Sequence, residues 1–337
     1  MRVLFILKKN NYGYEGVGDG AGGLLNSCRF IVDILRHEGI HAKIAVVVDN
    51  NDIDREVTNY QADVVVIEAL WVVPEKFDIL KVLHPNVTWI VRLHSDLPFL
   101  ASDGIAFTWI NGYIQRDVFV AVNKERTARD LSALTGNSPY ILFLPNYYKI
   151  NHVRFGSFDD DDLHIGCFGA IRPLKNQLIQ AVAAIEYADR AGRRLQFHMN
   201  GTRQEQGGTA ALKNIRALFD NSSHELVLHP WLEHKEFLKL MSKMDLAMCV
   251  SFSETFCIVA ADAVAVKTPL VCSDQVPWAD RRSIVPTTDT KAIRERIADL
   301  LDGAFFANLF NRRNLVKYAK RSKRIWLETL DAFAPVM

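Results

Sequence analysis

Short, uninterrupted apolar runs separated by stretches of helical spacing recur along this chain, and that alternation leaves few folds open. Val3–Leu7 is the first run. A run with no polar residue at alternate positions reads as a strand covered on both faces. Leu24, Leu25, Cys28, Ile31, Val32 and Leu35 then recur at helical spacing, and Gly39 ends that helix. Ala42–Val48, Val64–Ile67, Thr88–Leu93, Val118–Val122 and Ile141–Leu144 read as later strands, with helical stretches such as Lys124–Leu134 between them. The alternation predicts a doubly wound, mainly parallel α/β sheet.

The pattern breaks at Asn151–Asp162, which holds Gly156 and four consecutive aspartates and reads as a linker. It then restarts. Ile165–Phe168, Leu195–Met199, Leu226–Leu228, Leu246–Val250 and Pro269–Cys272 look like strands, and Gln177–Ala191 and Lys235–Met244 like helices. A chain of 337 residues is long enough for two cores. The expectation is two α/β domains, 1–150 and 151–308, followed by a helix in 309–337. In such domains ligands sit at the carboxyl ends of the strands.

Composition narrows the class. With 49% hydrophobic and 23% charged residues, the chain is ordinarily globular, and a net charge of +1 supplies no global field for polyanions. The five cysteines, Cys28, Cys167, Cys249, Cys257 and Cys272, are odd in number, lack metal-ligand spacing and mostly lie in apolar runs. They read as buried, reduced thiols of a cytoplasmic protein. The apolar run at the N-terminus is too short for a signal peptide, and no segment has the length of a membrane span.

Chemistry concentrates in Ser251-Phe-Ser-Glu254-Thr-Phe-Cys-Ile-Val-Ala-Ala-Asp262, which follows the buried run Asp245–Val250. One carboxylate falls in the loop after a strand and a second in the next helix. The helix start between them offers free N–H groups to phosphate oxygens, and carboxylates accept hydrogen bonds from sugar hydroxyls. A ligand with a phosphate centre and a sugar at each end, a nucleotide sugar, satisfies both. Near the start of the same domain, Gly169-Ala-Ile-Arg172-Pro-Leu-Lys175-Asn176 places two cations three residues apart beside a strand end. They suit a diphosphate and the charge of a departing nucleotide.

The combination Gly169-x-x-Arg172-x-x-Lys175-Asn176 with Ser251-x-x-Glu254-x7-Asp262 resembles the GT-B glycosyltransferases of glycosyltransferase family 4. Asp63–Ile67, Arg92-Leu-His94, Leu144-Pro-Asn146, Met199-Asn-Gly201 and His229-Pro-Trp-Leu232 fit the same family, so the resemblance covers nearly the whole chain. It implies two Rossmann-like domains facing a cleft, and transfer of a sugar from a nucleotide sugar with retention at the anomeric carbon, without metal or cofactor. By that likeness Arg172 and Lys175 bind the diphosphate, Glu254 contacts sugar hydroxyls, and the amides of Thr255, Phe256 and Cys257 approach phosphate. Asp262 takes the ribose, Asn146 lies on the donor side, and His94 faces the transferred sugar. The family commonly has Glu where this chain has Asp262, and an aromatic residue then Gly where it has Thr255-Phe256-Cys257.

The loop after Val3–Leu7 carries Gly13, Gly16, Gly18, Gly20, Gly22 and Gly23. Gly18, Gly20 and Gly23 match dinucleotide-binding spacing but lie too far past the strand for it. Gly22 and Gly23 open a helix and suit backbone approach to donor phosphate or sugar. Lys8, Lys9, Tyr12 and Tyr14 read as a flap over an acceptor or a plain surface loop. Asp52-Ile-Asp54 and Asp159–Asp162 have a spacing used elsewhere for divalent metals, yet a helix start and a linker explain them better.

The final helix, Leu309–Phe333, sets Leu315, Tyr318, Ala319, Ile325 and Trp326 on one arc. Arg312, Arg313, Lys317, Lys320, Arg321, Lys323 and Arg324 fall on the other, with no acid between Gly303 and Leu327. That face reads as solvated, or as a contact for DNA, an anionic membrane surface or another polyanion. Asp49–Arg55, Ile67–Pro74 and Val91–Ser95 look similar to phage-encoded glycosyltransferases, some of which act on hydroxymethylated pyrimidines in DNA. For such a chain the setting is the host cytoplasm. A lipid-linked or polysaccharide acceptor suits the basic helix equally. Outside this class stand an NAD-dependent oxidoreductase, using the glycine loop and Asp49, and a non-catalytic nucleotide-sugar or DNA-binding module.

Overall fold

The computed structural model describes residues 1–9, 22–150, 156–303 and 305–334. The chain divides into two units: the described residues up to Lys149 with Tyr318 onward, and Ile150–Lys317.

In the first unit, β1 (Arg2–Lys8), α1 (Gly22–His37), β2 (His41–Val47), α2 (Asp52–Tyr60), β3 (Val64–Glu68), α3 (Lys76–Leu83) and β4 (Thr88–Leu93) follow in turn. Then come α4 (Leu97–Leu100), α5 (Ala106–Ile114), β5 (Phe119–Val122), α6 (Glu125–Leu134) and β6 (Ile141–Phe143). The strands pair in parallel in the order β2-β1-β3-β4-β5-β6. Alternation of side chains explains why they read as solid apolar runs. Val3, Phe5 and Leu7 of β1, with Val64 and Val66 of β3, face α1 and the buried Trp326 and Leu330. Leu4, Ile6, Val65 and Ile67 face Ile53, Phe77 and Ile110 on the opposite side.

In the second unit, β7 (Leu163–Gly166), α7 (Gln177–Ala191), β8 (Leu195–Asn200), α8 (Gly208–Asp220), β9 (Glu225–His229) and α9 (His234–Met241) are followed by β10 (Leu246–Cys249), α10 (Ile258–Val266), β11 (Leu270–Cys272) and α11 (Thr290–Gly303). This sheet is also parallel, ordered β11-β10-β7-β8-β9. Its core joins Ile165, Phe197, Met199 and Met248 to the small residues Ala181, Ala184 and Ala188 of α7. The apolar run read as Ile165–Phe168 forms a strand only to Gly166. Phe168 folds back so far that a Cβ on Gly166 would lie 2.5 Å from its ring.

The last helix, α12 (Phe305–Ala332), begins four residues earlier than the spacing predicts. From Tyr318 onward it counts with the first unit. Trp326 is fully buried there, its ring centroid 5.8 Å from that of Phe5, and its Nε1–H donates to the Pro145 carbonyl at 2.8 Å. An indole buried this completely is worth on the order of 3–5 kcal/mol relative to Ala. Tryptophan therefore ties the C-terminal helix to the first sheet, although the chain between them builds the whole second unit.

The second sheet carries one polar seam. His229 Nε2 lies 2.8 Å from His198 Nδ1, His198 Nε2 lies 2.9 Å from His164 Nδ1, and His164 Nε2 lies 2.7 Å from Asp160 Oδ1. Phe158 stacks on His164 with ring centroids 4.0 Å apart. An ionised carboxylate only accepts, so each imidazole donates through Nε2 toward Asp160, and His198 and His164 accept at Nδ1. A single N···N contact holds one proton, so the neutral ladder is self-consistent and further protonation breaks it. Burial and the neighbouring His229 and His164 push His198 down to about 3, and burial also lowers His229. Between about 3 and the ordinary 6.5 the unfolded chain therefore binds more protons than the folded one, so stability falls as pH falls through that window. Urea unfolding from about pH 7.5 to 5 should show a midpoint that drops with pH and a shallower drop in His198→Gln. A midpoint slope unchanged by that substitution would refute the assignment.

Candidate active site

The strand order of the second unit reverses between β7 and β10, which are neighbours although far apart in sequence. Helices leave on opposite faces at such a point, so the loops after the two strands diverge and leave a crevice. The loop after β7 carries Arg172 and Lys175, and the loop after β10 carries Glu254. Cys167, Phe168, Lys175, Gln180, Ser251 and Glu254 are among the residues lining the small cleft between them.

Local chemistry shapes the first loop. Gly169 has φ +119, a region costly for any other residue, and its N–H donates to Asn200 Oδ1 at 2.8 Å. Arg172 is extended, Pro173–Lys175 make one 3₁₀ turn, and Asn176 takes a left-handed conformation before α7. The Asn176 amide then donates to the carbonyls of Val250 and Thr287 at 3.0 and 2.7 Å. Gln180 clasps the same junction, donating to the Lys175 carbonyl at 2.8 Å and accepting from the Val250 N–H at 2.9 Å. These amides lock the two loops together.

The charged centre is an ion pair between Lys175 Nζ and Glu254 Oε1, with Ser251 Oγ donating to the same carboxylate oxygen at 2.8 Å. Burial would raise the Glu254 carboxyl, but the Lys175 ammonium, the two hydrogen bonds and the charge of Arg172 outweigh it and hold it below the usual carboxylate range. Burial would likewise lower Lys175, and Glu254 outweighs it and raises the ammonium. Both groups are ionised. Arg172 Nη1 lies 3.2 Å from Glu205 Oε2, and Glu205 also takes Arg203 at 2.6 Å.

Thr255, Phe256 and Cys257 lead into α10. Phe256 is buried and its carbonyl accepts from Trp278 Nε1 at 3.0 Å. Cys257 stands at φ 61, ψ 82 immediately before the helix, a backbone conformation that glycine adopts freely and cysteine does not. Asp262 is only 1% exposed, and its Oδ1 lies 2.8 Å from Nε2 of His234, the first residue of α9. Burial opposes protonation of His234, but the Asp262 hydrogen bond and charge prevail and raise its pKa. Asp262 is thus set back behind His234, which sequence reasoning missed because it reads as an ordinary helix start.

In the first unit, His94 and Asn146 belong to a second buried cluster. Arg92, fully buried in β4, donates to both oxygens of Glu68 at 3.2 Å and to Asn146 Oδ1 at 2.6 Å. Ser27 Oγ, in α1, reaches the same Asn146 oxygen at 2.6 Å. His94 Nε2 contacts Glu68 Oε2, and Asn123 Nδ2 lies 3.3 Å from His94 Nδ1. Glu68, Asn123 and Ser27 also escaped the sequence reading. A usable signal existed: Glu68 and Arg92 are opposite charges in strands that otherwise read as buried on both faces, so each needs a partner.

The remaining expectations fall away from these clusters. Gly22 and Gly23 start α1, whereas Tyr12, Tyr14, Gly13, Gly16, Gly18 and Gly20 lie outside the described residues. Asp52 and Asp54 pair with Arg55 and His84 at 2.9 and 2.8 Å, and Asp162 accepts from Gln196 at 2.8 Å. On α12, Arg321, Lys323 and Arg324 pair with Glu125, Glu38 and Glu328 at 2.8, 3.1 and 3.6 Å. Arg312 is half-buried. Arg313, Lys317 and Lys320 are exposed and make no ion pair among the described residues.

Removing one member of a buried ion pair leaves an uncompensated charge at a cost of roughly 3–5 kcal/mol, whereas removing both can be near neutral. Lys175→Met should therefore cost several kcal/mol in urea unfolding, and Lys175→Met/Glu254→Gln far less than the sum of the single changes. Additive losses would show that the pair is not coupled.

Residues 162–303 match the family model described as glycosyl transferases group 1. No curated protein matches the chain by sequence. Among solved structures, the chain is similar to OtsA in its apo form, with a TM-score of 0.71 at 10% identity, covering all of both chains. It is similar to an E. coli trehalose-6-phosphate protein bound with UDP-2-fluoro glucose, with a TM-score of 0.68 at 10% identity over 99% of each chain. Sucrose-phosphate synthase from Thermosynechococcus elongatus gives a TM-score of 0.66 at 13% identity, over 98% of this chain and 100% of that one. The chain thus has the two α/β units of the GT-B fold, and its residues 162–303 match the glycosyl transferases group 1 model.

Proposed function

We propose that the protein transfers a sugar from a nucleoside diphosphate sugar to an acceptor hydroxyl with retention, using protein cations in place of a metal. The observation that carries this reading is the convergence of Lys175, Glu254 and Arg172 at the strand reversal of the group 1 domain. An ammonium has three donors, so Lys175 can keep Glu254 and still serve a phosphate oxygen. Arg172 offers a planar fork for the diphosphate. Glu254, fixed by Lys175 and Ser251, accepts from sugar hydroxyls. In the transfer, the acceptor oxygen bonds to the anomeric carbon on the face from which the diphosphate departs. The bond from that carbon to the phosphate oxygen breaks, and the leaving phosphate takes the acceptor proton. Arg172 and Lys175 stabilise the charge that develops on it. The similar E. coli protein bound with UDP-2-fluoro glucose supports a donor of this class.

The nucleoside is assigned to Asp262 together with His234, and the amides of Thr255–Cys257 to phosphate. For the acceptor, exposed Arg313, Lys317 and Lys320 favour a polyanion such as DNA carrying hydroxymethylated pyrimidines. The pairing of Arg321, Lys323 and Arg324 within the protein leaves that footprint small, and a lipid-linked or polysaccharide hydroxyl is the competing reading. No helix among the described residues is long and apolar enough to cross a membrane.

Release of nucleoside diphosphate from a panel of nucleotide sugars, with modified DNA, lipid-linked and polysaccharide acceptors, tests both parts. Turnover should persist in excess chelator and fall by about 100-fold or more in Arg172→Ala. Strict dependence on a divalent metal, or full activity in Arg172→Ala, would contradict the mechanism.

A further inference from the structure

Arg172 carries a long, rotamer-rich side chain, and a group that stabilises a developing charge has to be oriented before that charge appears. The loop between β8 and α8, residues 201–207, meets Arg172 from the side. Its main chain pairs with the loop after β7. The Ile171 N–H donates to the Arg203 carbonyl at 2.8 Å, and the Glu205 N–H donates to the Ile171 carbonyl at 2.9 Å. Two glycines permit that approach. Gly207 has φ +90, and a Cβ on Gly208 would lie 2.0 Å from the Ile171 carbonyl oxygen. Arg172 follows Ile171 directly, so paired backbone delivers the side chains of Arg203 and Glu205 beside it.

Those side chains form a short chain of contacts. The Arg203 guanidinium lies 5.0 Å from the centroid of the Trp231 ring, and its Nε donates to Glu205 Oε1 at 2.6 Å. The other oxygen, Glu205 Oε2, accepts from Arg172 Nη1 at 3.2 Å. One carboxylate thus bridges two guanidiniums, the first anchored on an indole and the second assigned above to the diphosphate. The three charged side chains are 21 to 23% exposed, so their pairing adds little to stability. What it supplies is direction.

We infer that Glu205 is a positioning residue for the transfer, holding the Arg172 guanidinium in one orientation through the anchor of Arg203 on Trp231. The inference rests on the reading that Arg172 meets the diphosphate. Charge gives it a distinctive signature. Glu205 is an anion beside an anion-binding cation, so its loss favours bound phosphate by Coulomb's law. The same loss frees Arg172 to turn and slows a step in which charge develops on that phosphate. A group that only binds the donor, or only supports the fold, moves affinity and turnover in the same direction.

Glu205→Gln keeps the size of the side chain and removes its charge. Its affinity for a nucleoside diphosphate, measured by calorimetry, should equal or exceed that of wild type, while kcat with a nucleotide sugar falls about tenfold. Glu205→Asp should recover part of kcat. Trp231→Leu loosens the anchor, keeps every charge and should lower kcat without weakening that affinity. In an Arg172→Ala background Glu205→Gln should cause no further loss, since the group it positions is gone. Unchanged kcat in Glu205→Gln, a parallel loss of affinity and kcat, or a full additional loss in the Arg172→Ala background would each overturn the inference. Nitrogen-15 NMR of the full chain with labelled arginine reads the orientation without turnover. The Arg172 Nη resonances, assigned by their loss in Arg172→Lys, should be separate in wild type and merge in Glu205→Gln. Resonances merged in wild type, or separate in both proteins, also overturn it. The expected spectra in a protein that turns over no nucleotide sugar would refute the proposed function and leave Glu205 as the group that holds Arg172.

Discussion

Everything specific in the second unit depends on β7 and β10 lying side by side. The sheet begins with β7, adds β8 and β9 on one side, then returns to place β10 on the other. That return brings Arg172 and Lys175 within reach of a carboxylate about eighty residues later. The amides of Asn176 and Gln180 then bolt one loop to the other through main-chain groups, so the geometry of the charges is inherited from backbone that has no freedom to drift. Orientation of this kind is what lets fixed cations stabilise a developing charge without reorganising.

Both units bury an ion pair near the carboxyl end of a parallel strand, and they do so differently. Lys175 and Glu254 retain 15% and 8% side-chain exposure and line a cleft. Glu68 and Arg92 retain none. Burying charges is costly unless each finds full hydrogen bonding, and Arg92 does so through Glu68, Asn146 and the Leu144 carbonyl. Such a network adds little stability over an apolar core. It fixes instead one arrangement of His94 and Asn146 at the strand ends of the first sheet.

Much of the architecture was legible in the chain because two-sided burial leaves unbroken apolar runs: β1, β3 and β10 are read directly from Val3–Leu7, Val64–Ile67 and Leu246–Val250. Where a run continued past the strand, as at Cys167-Phe168, the sequence had no mark for the turn beyond Gly169. The convergence of Arg172 and Lys175 with Glu254 was legible from spacing, because strand-end loops are short and place their residues narrowly. The partners of those residues were not. Glu205 for Arg172, His234 for Asp262, and Glu68 and Asn123 for His94 come from other elements and loops 26 to 33 positions away, and local periodicity carries no information at that range. Cys257 shows the converse. It stands where the resembling family commonly has glycine, and its backbone is left-handed, a conformation that glycine adopts freely.

The central claim is that the cations at the strand reversal hold the donor's phosphates. Calorimetric titration of a nucleoside diphosphate, without sugar or acceptor, isolates that contact from every later step. The account predicts binding to the wild-type chain and a loss of about 10- to 100-fold in affinity for Arg172→Ala, the worth of a charge-assisted hydrogen bond to phosphate. Equal affinity in the two proteins would place the phosphates elsewhere and contradict it.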